Sequence, residues 1–147
     1  MTQEYKDLLL KDLCARLPYG VKVHAKYIDT DTNVETEKDG VLSMIDNDTI
    51  IAFTTDDTNC YNYVAIHEVK PYLVPLSSMT EEQEQEWYQT WVQPMLERLS
   101  PNTRKEDLIL QAKAQWFGTD WLNENHFDYR GLIPADAAID ATGLDIY

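Results

Sequence analysis

From Val21 to Val74 apolar and polar residues trade places at short range. Clusters of Asp, Asn and Thr cut this stretch into runs of strand length, a pattern that suits β-strands and little else. In VKVHAKYI, Val21, Val23, Ala25 and Tyr27 fall on one face, and Lys22, His24, Lys26 and Ile28 on the other. DTDTN at 29–33 reads as a turn, because Asp and Asn side chains satisfy backbone donors locally. The spacing predicts a second strand over about Val34–Ile45, with Gly40 as a bulge or bend, then a tight turn at Asp46-Asn47-Asp48. TIIAFTT at 49–55 is a third strand, and DDTN at 56–59 turns the chain into a fourth, CYNYVAIHEV at 60–69. KPYLVPL follows in extended form, and its prolines place it at an edge. Four strands joined by short loops predict an antiparallel meander or a small SH3-like barrel.

Helical periods flank this region. Tyr5, Leu9, Leu13 and Leu17 recur every four residues, so residues 3–17 read as a helix capped by Thr2 and stopped by Pro18-Tyr19-Gly20. Glu4, Lys6, Asp7, Lys11 and Asp12 are expected on its wet face. Thr80-Glu81-Glu82-Gln83 is a capping box. Beyond it Trp87, Trp91 and Met95 share one stripe, with Tyr88, Val92 and Leu99 beside them, until Pro94 ends or kinks the helix. Thr103-Arg104-Lys105-Glu106 is a second capping box, opening a helix with Leu108, Ile109, Ala112 and Trp116. Gly118 breaks that helix, and Thr119-Asp120 starts a short one to about Asn125. The remaining HFDYRGLIPADAAIDATGLDIY has no sustained period. No linker interrupts the chain, so the expected fold is one α+β domain over residues 1–147. Its β-rich part is 1–79, and the helices of 80–147 pack on it.

The chain has 147 residues, 12 basic and 26 acidic, for a net charge of -14. The acidity is shared: residues 1–79 hold 7 basic and 13 acidic groups, residues 80–147 hold 5 and 13. Such a balance disfavours direct contact with nucleic acid or anionic membranes, which need a positive surface. No apolar run approaches the roughly 18 residues of a membrane span. The opening MTQEYKDLLLKDL lacks the pattern of a secretory signal. Cys14 and Cys60 make no disulfide framework and read as reduced, buried thiols of a cytoplasmic protein.

Familiar chemistry is hard to write onto this sequence. The five glycines, at 20, 40, 118, 131 and 143, allow neither a dinucleotide fingerprint nor a phosphate loop. Asp29, Asp31 and Asn33 begin like a calcium loop, but Val34 stands where a sharp turn needs Gly and Gly40 where a bidentate Glu is needed. His24, His67 and His126 lack metal-ligand spacing. Cys60 and His67 are seven apart, on opposite faces of a regular strand. No catalytic residue, metal or cofactor is therefore expected.

WLNENHFDYRGLI (121–133), KDLCARLPYGVKV (11–23) and KPYLVPLSSMTEEQ (70–83) resemble segments of an uncharacterised family of small proteins from gut Bacteroides-type bacteria and their phages. The resemblance implies an intracellular, mobile-element origin and carries over no catalytic residue.

All four tryptophans lie in the helical half. Large aromatics usually build cores, yet short amphipathic helices seldom hide four indoles. Trp87, Tyr88, Trp91 and Trp121 are therefore the candidate binding residues for a protein partner, with Trp91 expected nearer the core and Trp87 more exposed. The function expected is a non-enzymatic macromolecular interaction module. The alternative is an acidic DNA mimic that inhibits a basic nucleic-acid-binding protein.

Overall fold

The structure, a computed structural model, describes residues 2–47, 50–55, 58–94, 97, 104, 106, 107 and 118–147. Thr2 caps the first helix, α1 (Gln3–Arg16), by accepting the Tyr5 amide on Oγ1. Leu17–Tyr19 tighten into a 3₁₀ turn, and Gly20, at φ 65°, releases the chain toward the sheet. Leu9 and Leu13 are fully buried, whereas Tyr5 is exposed. Asp12, expected on the wet face, is fully buried too. The reason is Arg16 one turn on, also buried, whose Nε donates to Asp12 Oδ2 at 2.7 Å, while Arg130 Nε reaches Oδ1 at 3.1 Å. A carboxylate doubly paired in this way can leave water.

The predicted meander is present. Strands β1 (Lys22–Asp29), β2 (Val34–Ile45), β3 (Ile50–Thr55) and β4 (Thr58–Ala65) pair antiparallel in succession. β2 is long enough to pair β1 along its first half and β3 along its second. Its bulge falls between Leu42 and Met44, not at Gly40. Gly40 serves close approach: a Cβ there would meet the Thr54 carbonyl and lie 2.6 Å from the Phe53 ring. At the β1–β2 turn, Asp29 Oδ1 accepts the amides of Asp31 and Thr32 at 2.9 and 3.2 Å, the turn chemistry the sequence predicts.

Among the described residues the strand count is seven rather than four, and the sheet is open rather than closed into a barrel, in the order β4-β3-β2-β1-β5-β6. A 3₁₀ turn at Ile66–Glu68 leads into β5 (Val69–Pro75), which pairs antiparallel with β1 at Val23–Ala25. Two short parallel strands then flank β5: β6 (Phe127–Asp128) at Val74–Pro75 and β7 (Ile139–Asp140) at Tyr72–Leu73. β5 is thus interior, although its prolines predict an edge. Pro71 and Pro75 are each the last residue of a paired run, where a lost N–H interrupts little. β6 and β7 have two residues each, too few for any period to show in sequence.

The main core joins α1 and the sheet through Leu9, Leu13, Val23, Phe53 and Leu73, and the tail adds Leu132 and Ala137. A second cluster holds Trp87, Tyr88, Val92, Trp121, Leu122, Phe127 and Tyr129. Its first helix, α2 (Glu81–Trp87), has both halves of the capping box: the Gln83 amide donates to Thr80 Oγ1, and the Thr80 amide to Gln83 Oε1. α2 runs into a π-helical turn at Tyr88–Val92, closed by the Gln93 amide on the Tyr88 carbonyl. Pro94 has no amide to donate and crowds the carbonyl four residues back, so widening the preceding turn relieves it. The short helix α3 (Thr119–Glu124) starts at Gly118, φ 72°. The helix expected from Thr103 to Trp116 falls almost wholly outside the described residues, as do Met95 and Leu99. Among the described residues no helix is long and apolar enough to cross a membrane.

Candidate functional site

The structure brings three of the four candidate aromatics together, in the second core. Trp87 is 1% exposed, Tyr88 8% and Trp121 5%, with Trp121 stacked on Phe127 at 5.8 Å. Trp91 is the exposed one, at 37%. The expected order of Trp87 and Trp91 is therefore reversed, and the π turn explains it. Within a π turn each residue advances less around the axis than in an α-helix. Trp91 lags toward the rim of the buried stripe, and Val92 takes the centre. The indoles of Trp87 and Trp91 both close on Gly118, where an added Cβ would sit 2.9 Å from each.

The segment 121–133 also works structurally. Arg16 Nη2 donates to the Phe127 carbonyl at 2.6 Å, and both Asp128 oxygens accept backbone amides, from Leu132 and Ile133. The Tyr129 ring lies under Arg16 and Arg130 at 5.4 and 4.7 Å. His126, left-handed at φ 60°, stacks on Tyr147 at 3.7 Å. Burial, helped by the charge of Arg16, lowers its pKa to about 4.

A cleft of about 560 Å³ gathers His24, Lys26, Glu35, His67, Glu68 and Lys70. His24 Nδ1 lies 2.8 Å from Asp39 Oδ1, which also accepts the Tyr72 hydroxyl at 2.8 Å. An ionised carboxylate only accepts, so Nδ1 is the donor in this contact. Burial and Asp39 hold Tyr72 protonated, its pKa raised to about 12. The charges here already answer one another. Lys26 contacts Glu35 and Glu37 at 3.3 and 3.1 Å, which raise its pKa, and Lys70 contacts Asp136 at 2.6 Å. A lysine held charged is no nucleophile, and the lining residues offer no hydroxyl or thiol. The cleft reads as a solvated ion-pair network bracing β1 against β2 and tying β5 to the tail at Asp136.

The feature with no such internal explanation is the side of β4 that no described strand pairs. Among the described residues this strand ends the sheet, and over eight residues it carries neither charge nor proline. Natural edges are blunted by charge, proline, shortness or a bulge; β4 has an irregularity where Thr58–Cys60 meet Thr54–Thr55, and its run from Tyr61 to Ala65 is regular. At the opposite end β6 is kept to two residues, and the β1–β2 hairpin is guarded by Lys26, Glu35 and Glu37. On the outer face of β4, Tyr61 and Tyr63 are 56% and 58% exposed with rings 6.3 Å apart. Tyr63 stands opposite Ala52 and Ala52 opposite Met44, itself exposed, which extends the apolar strip across three strands. Sequence reasoning placed Tyr61 and Tyr63 on a strand but nominated neither. The available signal is the uncharged stretch from Thr58 to His67 between Asp57 and Glu68.

Cys14 and Cys60 are free thiols, and both are exposed rather than buried. Comparison with protein families, with characterised proteins and with solved structures found no match.

Proposed function

We propose that the protein is a non-enzymatic interaction module of the cytoplasm, and that it engages a protein partner along the β4 edge rather than through its tryptophans. The observation that carries this reading is the pair Tyr61 and Tyr63, more than half exposed on an uncharged, proline-free edge strand. An exposed aromatic pair on a rigid strand offers large contact area at little entropic cost, and the edge offers backbone partners. The resemblance to proteins of Bacteroides-type bacteria and phages fits a protein that acts by contact within a cell. The DNA-mimic alternative has less support. Glu35, Glu37 and Asp39 do form an acidic row on β2, but Lys26 lies on the first two and His24 on the third.

Site-specific photocrosslinking in the source cell tests the reading. A benzophenone amino acid at position 61 is expected to give discrete adducts, and the same group at Tyr5, exposed on α1, none. No adduct at 61, or the same adducts at both positions, overturns it.

A further inference from the structure

We infer that the β4 edge receives an extended, basic peptide segment of its protein partner as an added strand. This rests on the reading of β4 as the contact edge and names what lies against it.

A groove of about 360 Å³ lies between β4 and the tip of the β1–β2 hairpin. Tyr61 and Tyr63 line one wall, and Tyr27, Asp29 and Asp31 come from the other. Three features of this groove select an occupant. It lies beside β4, the last strand of the described sheet, whose regular run from Tyr61 to Ala65 can exchange backbone hydrogen bonds with an extended chain but not with a helix. Its tyrosines present flat apolar faces that suit alternate side chains of such a chain. Its lining carries two acids against one base: Asp29 and Asp31, with Lys38, which donates to Asn62 Oδ1 at 3.2 Å and whose charge acts on Asp29, so Asp31 is left without a cation among the lining residues. The amides of Asp31 and Thr32 hold Asp29 below the usual carboxylate range, so it stays ionised at neutral pH.

Charge also separates this occupant from a second copy of the chain. Each copy carries -14, so two copies repel each other at short range and low salt, whereas a basic segment is drawn in. Arg or Lys in the guest would meet Asp29 and Asp31 while its apolar residues cover Tyr61 and Tyr63.

Selection from a random peptide library displayed on phage tests the inference, since it requires no identified partner. The enriched peptides are expected to be net positive, with apolar residues at alternate positions. Their affinity should fall with added salt, and by about tenfold or more on the double variant Asp29→Asn/Asp31→Asn. Asn keeps the turn-forming side-chain oxygen, so that variant retains the hairpin. Amide hydrogen exchange with the best peptide bound should slow along β4, which binding to the tyrosine faces alone would not cause. Neutral or acidic consensus peptides, no enrichment, indifference to the double variant, or unslowed β4 amides each overturn the inference. Adducts at position 61 to a foreign protein alongside such a failure would leave the interaction module standing and remove only the basic strand. Adducts of the chain to itself, with a dimer in sedimentation, would replace the guest by a second copy. Absence of any adduct at 61 would remove both.

Discussion

Arg16 near the end of α1 donates from Nη2 to the carbonyl of Phe127, 111 residues away, at 2.6 Å. The same guanidinium holds Asp12, so one fully buried side chain ties the first helix to β6 and to the second core. Such a contact is costly to break from one side. Arg16→Ala leaves the Asp12 carboxylate buried with only Arg130 and is expected to destabilise the protein by about 3–5 kcal/mol. The double change Asp12→Leu/Arg16→Met removes both charges and should recover most of that loss. Urea melts of the three proteins check the order; a single variant as stable as the parent would contradict it.

Trp87 and Trp91 separate cleanly as mutational targets. Trp87→Ala opens the second core and should cost about 3–5 kcal/mol. Trp91→Ala, at the rim of the π turn, should cost about 1 kcal/mol. Equal losses in chemical denaturation would contradict the burial difference between them.

Gly118 faces two constraints at once, a left-handed backbone at φ 72° and two indoles against its α-carbon. Gly118→Ala is expected to destabilise by about 2–4 kcal/mol, from the backbone penalty plus overpacking. Combining it with Trp91→Ala should return part of the loss, because that indole is half of the obstruction. A thermal melt unchanged by the single substitution would refute this account.

His126 makes stability depend on pH. Its folded pKa, about 4, lies below the ordinary 6.5, because burial and then Arg16 oppose the charged form. On acidification the unfolded chain therefore takes up the proton first. The contribution of this ring is complete above about pH 6.5 and is lost as the pH falls from 6.5 toward 4. His126→Asn keeps a residue tolerant of φ 60° and removes the titration. The variant should show a shallower fall in Tm across that window than the parent; parallel curves would exclude His126 as the source.

Both thiols are free and exposed, so native protein should react with two equivalents of a thiol reagent without denaturant. Fewer than two would mean that one of them is covered in solution.

Short-range physics made much of this fold legible. Caps, turn residues and alternation depend on neighbours within a few positions. Accordingly α1, the capping box at Thr80–Gln83, the turn after Asp29 and the bounds of β2 can be read directly from residues. The uncharged character of β4 was equally present in the letters, but whether Tyr61 and Tyr63 face water depends on which strand ends the sheet. Only tertiary structure decided that, along with three further matters. It admitted Asp12 to the interior, because Arg16 and Arg130 converge on it from distant parts of the chain. It placed the proline-bearing β5 inside the sheet, because two-residue strands from the tail could pair beside it. It turned Trp91 outward, because a π turn before Pro94 changed the helical phase that a fixed period assumes. In each case the deciding energy is a contact between residues far apart in sequence, and no local pattern encodes which distant partner will arrive.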